Sequence, residues 1–281
     1  MIDYLRKLIF LFICASSIFS CSGGGSNGSG GNPEPFPTQE LSGVWLGDFF
    51  TEDVDNFTIG IITTGREARF IGNNVQYKGP EGTVSVTPNT AVFSGDLDEL
   101  SWTDALDDYS STSADVQVGG WIASGALVWG SFRYEETQET GSLYFIYNTT
   151  YETSPNVLHL AGDWIANNVF EEGNTLTLTI TPDADIEPGI QNTTSGTISG
   201  GDSLANVFSG NITIHYTTEN EVEGNVYDVS LTFDGIEMNG LATYVEEMST
   251  EGIEISKKTL ALGVSNPDST YMISVLSTLG E

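Results

Sequence analysis

Thr175-Leu176-Thr177-Leu178-Thr179-Ile180-Thr181 alternates hydroxyl and aliphatic side chains without a break. An extended strand sends successive side chains to opposite faces, so this stretch has one apolar and one polar side. A helix would scatter Leu176, Leu178 and Ile180 around its circumference. Residues 57–63 (Phe-Thr-Ile-Gly-Ile-Ile-Thr) repeat the pattern more loosely. Residues 117–134, 143–147, 226–233 and 271–279 are rich in β-branched and aromatic side chains, which suit a pleated surface. Turn signals lie between such runs: Gly72-Asn73-Asn74, Pro88-Asn89, Gly200-Gly201-Asp202 and Asn266-Pro267-Asp268. No stretch beyond the leader carries an apolar stripe of helical period. Residues 98–108 are the one candidate for a short helix or a lid loop.

The strands come in two sets. Leu41-Ser-Gly43-Val-Trp45 answers Leu160-Ala-Gly162-Asp-Trp164, and Gly82-Thr83-Val84 answers Gly196-Thr197-Ile198. Val92-Phe93-Ser94-Gly95 answers Val207-Phe208-Ser209-Gly210. Gly125, Gly130, Tyr134 and Glu136 answer Gly235, Gly240, Tyr244 and Glu246. The order is kept while the spacing drifts, as turns of unequal length would produce. The chain therefore reads as all-β, with two tandem antiparallel modules of roughly eight strands each at the usual strand-and-turn spacing. The first module covers 38–152 and the second 158–281, with a junction at 149–157. Eight strands can close into an up-and-down barrel without free edges, which is favoured over a β-sandwich.

Residues 1–20 have the layout of a secretory signal peptide: Arg6 and Lys7, a greasy run from Leu8, and a small residue at Ser20. Residues 21–37 follow as a tether, nearly pure Gly and Ser and then stiffened by Pro33, Pro35 and Pro37. Ile18-Phe19-Ser20-Cys21 resembles the lipobox of bacterial lipoproteins. That resemblance implies cleavage before Cys21, lipid on its thiol, and, with Ser22 rather than Asp next, an outer-membrane address facing the periplasm or the cell surface. Cys14 and Cys21 are the two cysteines. With Cys14 lost and Cys21 lipidated, the body has no disulfide and no cysteine chemistry. A spanning porin-like barrel is disfavoured, because a lipid anchor would then be redundant.

Acidic residues number 39 against 8 basic ones, a formal net charge of −31. Such a surface repels nucleic acid and anionic membrane faces. The acidic clusters at 52–55, 96–108 and 183–187 could hold calcium through oxygen ligands, but none follows the EF-hand order, and solvated loop charge is the better reading. Gly201-Asp202-Ser203-Leu204 spells the signature of the GDSL hydrolases without their late Asp-x-x-His partner, and reads as a hairpin turn. His159 and His215, the two histidines, are expected in surface or structural roles. No nucleotide-cradling loop is present. The expectation is a protein that is not an enzyme and needs no cofactor or metal.

The Gly-x-Trp on each module's first strand resembles the lipocalin signature, and the Gly-rich strands resemble the barrels of bacterial surface lipoproteins that bind host proteins. The first likeness implies a Trp across the closed end of each barrel with a late Arg against it, a part that Arg133 could play in the first module. The expected function is a lipid-anchored binding module for a small apolar ligand or an envelope partner protein. Trp45, Trp121, Phe132, Tyr144 and Trp164 are the candidate ligand or core aromatics. The alternative is a structural or assembly lipoprotein of the envelope with filled barrels.

Overall fold

The computed structural model describes residues 41–51, 55–87, 91–102, 109–123, 127–170, 172–183, 193–217, 219–250 and 253–280. The leader, Cys21, the tether, most of the 52–55 cluster and residues 103–108 and 184–187 lie outside them. Among the described residues no helix is long and apolar enough to cross a membrane.

The first module contains β1 (Gly43–Phe50), β2 (Asp55–Ile62), β3 (Ala68–Ile71), β4 (Val75–Gly79), β5 (Ser85–Val86), β6 (Val92–Trp102), β7 (Ser111–Ala123), β8 (Leu127–Tyr134) and β9 (Thr140–Asn148). Consecutive strands pair antiparallel, except that β4 does not pair with β5. β9 returns to β1 and β4 pairs with the far end of β6, so eight strands form a ring with β5 attached outside it. The second module contains β10 (Gly162–Asn167), β11 (Thr175–Pro182), β12 (Ser195–Asp202), β13 (Val207–Tyr216), β14 (Val222–Phe233), β15 (Ile236–Val245), β16 (Met248–Thr250), β17 (Ile253–Ile255), β18 (Thr259–Ser265) and β19 (Met272–Leu279). It closes as β10-β11-β12-β13-β14-β15-β18-β19, with β16 and β17 as a separate hairpin. The fold is thus all-β, two closed antiparallel eight-stranded barrels in tandem. Residues 98–102, expected in a helix or lid, instead complete β6, held between β4 and β7. Leu97 and Leu100, three residues apart, point to opposite faces of this strand, and both are buried, so the far end of β6 is covered on each side.

The duplicated motifs occupy matching places. Trp45 and Trp164 are fully buried, and each indole Nε1 donates to the carbonyl four residues earlier, Leu41 at 2.9 Å and Leu160 at 2.7 Å. Ser85 faces Ser94 as Ser199 faces Ser209. Ring closure differs: β5 is a two-residue remnant where β12 is a full strand, and β19 supplies the strand that completes the second ring.

Three apolar clusters hold the body. Inside the first barrel Phe49 sits among Phe70, Tyr77, Phe132 and Phe145, stacking on Tyr77 at 4.0 Å. The second barrel is packed with Trp164, Leu178, Phe208 and Tyr227, among others. The third cluster joins Val44, Leu46, Ile59, Ile61 and Ile71 of the first barrel to Val226, Leu241, Val245 and Ala261 of the second. β1 and β18 are consequently buried on both faces for much of their length. The Gly72-Asn73-Asn74 turn docks on the second barrel. Asn73 Oδ1 accepts from Leu276 N at 2.8 Å, Asn74 Oδ1 accepts from Phe170 N at 2.8 Å, and Asn74 N donates to Ser274 O at 3.1 Å.

One side chain crosses between the barrels in a different way. Tyr109, which precedes β7 of the first barrel, is fully buried in the core of the second. Its ring lies 4.5 Å from those of Phe170 and Phe233, and its hydroxyl donates to Asp202 Oδ2 at 2.9 Å. Ser110 bridges to Tyr271, and Ser111 Oγ donates to Ser269 O at 2.8 Å, which fixes the crossing segment on the end of the second barrel.

Candidate functional site

The first barrel, where an apolar ligand was expected, has a tightly packed interior. The small space bounded by Leu41, Trp45, Phe49, Phe70 and Phe145, among others, measures about 20 Å³. That is room for roughly one water molecule, and its walls are apolar, so it excludes even that. Trp45, Phe132 and Trp164 are core residues, exposed by no more than 3%. The late-strand Arg of the lipocalin pattern is absent from the first barrel's Trp. Arg133 is exposed, and its guanidinium donates to Gln117 Oε1 at 2.5 Å on the outer surface. The reason is phase: on β8 the inward positions are Val128, Gly130 and Phe132, and Arg133 falls on the other face. In the second barrel Lys258 lies over the ring of Tyr244 at 4.1 Å, and Tyr244 rather than Trp164 takes the cation.

Trp121 and Tyr144, the other two candidates, point outward and lie on one face. The β7–β8 hairpin sets Trp121 opposite Trp129, and β9 sets Tyr144 opposite Trp129. The indoles of Trp121 and Trp129 stack with centroids 4.7 Å apart and planes 26° from parallel. Val92 on β6 flanks Trp121, and Asp48 on β1 flanks Tyr144, so the row crosses five strands. Trp121 is 49% exposed and Val92 38%. Beneath the indole pair Gly120 faces Gly130, where a Cβ would stand 2.2 Å and 2.1 Å from backbone oxygens of the opposite strand. Glycine alone lets β7 and β8 approach so closely there.

The next outward row is small and smooth: Ser94, Gly119, Ser131 and Ser142. Beyond it runs a polar row of Asp96, Gln117, Arg133 and Thr140. Gln117 joins Arg133 to Glu135, donating to its Oε1 at 2.8 Å. The face is therefore an aromatic ridge, a smooth strip and a polar border. Trp129 was not among the expected residues. Moving two places away from the turn along both strands, from the Ala123–Leu127 pair, brings it opposite Trp121.

The remaining motifs are held by hydrogen bonds within the fold. Residues 201–204 end β12 and begin its turn, where Asp202 Oδ1 accepts from the amides of Leu204 at 2.9 Å and Asn206 at 3.0 Å. Ser203 Oγ donates to Asn174 Oδ1 at 2.5 Å. His159 Nδ1 lies 3.1 Å from the Tyr244 hydroxyl, and its carbonyl accepts from Lys258 Nζ at 2.9 Å. His215 Nδ1 lies 2.8 Å from Asp228 Oδ1 on the outside of the second barrel. Burial opposes its protonation, but the hydrogen bond and charge of Asp228, with Glu223 and Glu67, outweigh that and raise its pKa.

No protein-family model matches the chain, and no curated protein matches it. One solved structure is similar: a Bacteroides fragilis NCTC 9343 protein whose name suggests an outer-membrane location. It is 11% identical, with a TM-score of 0.26, over 85% of this chain and 95% of that one.

Proposed function

We propose that this chain is a non-enzymatic binding module of the cell envelope, held to the outer membrane by lipid on Cys21, which engages a partner protein through the outer aromatic ridge of its first barrel. The observation that carries this reading is the pairing of a packed interior with a half-exposed indole at Trp121. A Trp side chain offers roughly 200 Å² of contact area, so covering the open half removes about 100 Å² from water. At about 25 cal/mol per Å² that contributes about 2.5 kcal/mol, enough for an interface anchor. The formal charge of −31 would steer basic partner surfaces toward this molecule. The lipid would hold the module at the membrane, since a diacylated cysteine anchors far more firmly than a single chain.

The test is site-specific photo-crosslinking in the native host. A benzophenone side chain at position 121 is expected to give a discrete adduct. The same group at Val207 of the second barrel, 71% exposed, is expected to give none. Equal labelling at both positions, or none at either, would sink the ridge as an interface and favour the structural reading with filled barrels. Replacing Cys21 with Ala is expected to move the protein out of the membrane fraction, and unchanged fractionation refutes the anchor.

A further inference from the structure

A groove of about 430 Å³ runs between the barrels, away from the aromatic ridge. Glu67 and Arg69, at the start of β3, form one lip. The outer face of β13, β14 and β15 forms the floor. There Asn211, Ser230 and Asn239 stand in cross-strand register, three exposed amide and hydroxyl side chains spanning about 10 Å at the usual strand spacing.

The Arg69 side chain sits at the inner edge with 8% of its surface open. It crosses the second barrel where Gly240 and Gly263 leave space: a Cβ on Gly240 would lie 3.0 Å from its Cζ, and one on Gly263 3.2 Å from its Cδ. The two glycines leave room for the Arg69 side chain on this face. Its nearest carboxylate, Glu67, is 3.9 Å away. Its short hydrogen bond goes to a neutral group, the amide oxygen of Gln76 at 2.7 Å. Gln76 is itself fixed by donation to Val264 O at 3.0 Å. The Arg69 Nε–H is buried and has no partner among the described residues. Removing a guanidinium from water without a close carboxylate is costly, and a bidentate carboxylate is the group that offsets that cost best.

We propose that this groove binds a small monocarboxylate, either a free acid or the C-terminus of a peptide, with its carboxylate on the Arg69 guanidinium and its polar groups along Asn211, Ser230 and Asn239. The surrounding charges set the valence. Glu67 and Asp228 border the groove, and Asp228 is paired with His215. A dianion such as phosphate would meet both carboxylates, whereas a single negative charge meets the cation with less opposition. The floor residues supply donors and acceptors suited to amide or hydroxyl groups on the ligand.

The experiment is a titration of the full chain, labelled with ¹⁵N-arginine and held in detergent micelles, followed through the arginine Nε–H signals. The arginines are Arg6, Arg66, Arg69 and Arg133, so few signals arise. Arg69→Lys identifies the relevant one by its loss. N-acetylalanine is expected to shift that signal saturably, and its methyl ester is expected to leave it unmoved. A tripeptide with a free C-terminus binding more tightly than N-acetylalanine identifies a peptide end as the ligand, and equal binding identifies a free acid. Asn239→Asp leaves Arg69 and the exposed floor in place and adds a third carboxylate beside Glu67 and Asp228. It is expected to weaken N-acetylalanine about five- to tenfold, the effect of roughly 1 kcal/mol of repulsion. Absence of a saturable shift, an equal response to the ester or to inorganic phosphate, or unchanged affinity in Asn239→Asp would overturn the proposal.

Discussion

Tyr109 offers the sharpest test of how the two barrels are joined. Its ring belongs by sequence to the first barrel and by packing to the core of the second. Replacing it with Ala removes a fully buried aromatic that touches Phe170, Phe208 and Phe233. The interior around it is built from β-strands held in closed register, so it can collapse little into the space. The expected loss is therefore in the usual range for large aromatics, about 4 kcal/mol. The hydroxyl's bond to Asp202 accounts for about 1 kcal/mol of that, and Tyr109→Phe isolates it. For a body of this size about 4 kcal/mol lowers the melting temperature by roughly 8–16 °C. Differential scanning calorimetry of the full chain in detergent measures both variants. If Tyr109→Ala melts within about 2 °C of the parent, the ring is not an integral part of the second core.

Three further outcomes follow from the geometry. Protonated His215 is favoured in the folded chain, because Asp228, Glu223 and Glu67 raise its pKa against the opposing effect of burial. Its contribution is present in full below its unfolded pKa, about 6.5, and is lost as pH rises through the higher folded value. The stability gap between parent and His215→Asn is therefore expected to be larger at pH 5.5 than at pH 8.5 in urea titrations, and a pH-independent gap would contradict the assignment. Trp45→Phe and Trp164→Phe each delete the same indole-to-carbonyl bond in equivalent cores, so their destabilisations are expected to agree within about 1 kcal/mol; a clear inequality would deny that the two Gly-x-Trp motifs do the same job. The stacked Trp121–Trp129 pair is expected to give an exciton couplet in the far-ultraviolet circular dichroism that disappears in Trp121→Ala, with stability falling by no more than about 1 kcal/mol because the ring is half exposed. A couplet that survives the substitution would place the coupled indoles elsewhere.

Most of the architecture was legible because alternation is a local property. Residues 175–181 form β11 with Leu176, Leu178 and Ile180 inward, as period two requires. The duplication was legible because a Trp that bonds the carbonyl four residues back constrains Leu, Gly and Trp together. What the local pattern did not reveal is the contact between modules. Val44 and Leu46 alternate with Trp45, yet both faces of β1 are buried, since one face meets the other barrel. Nor could any spacing show that Tyr109 leaves its own module.

The aromatic ridge is the instructive miss, because its phase was present in the sequence. On β7 the inward set is Val116, Val118, Gly120 and Ile122, so Trp121 shares a face with Gln117 and Gly119. On β9 Leu143 and Phe145 point inward, and Tyr144 must point out. Grouping these aromatics with Trp45 by residue type, rather than by phase, put them inside a barrel that Phe49 and its neighbours already fill. A filled barrel cannot select a ligand by its interior. Under the proposed binding role, selectivity would come from outward side chains, whose identity the core does not dictate. Trp121 and Trp129, stacked over a Gly120–Gly130 pair that brings two strands unusually close, are such side chains: the inner glycines narrow the hairpin, and the outer indoles use that closeness to form one continuous apolar face.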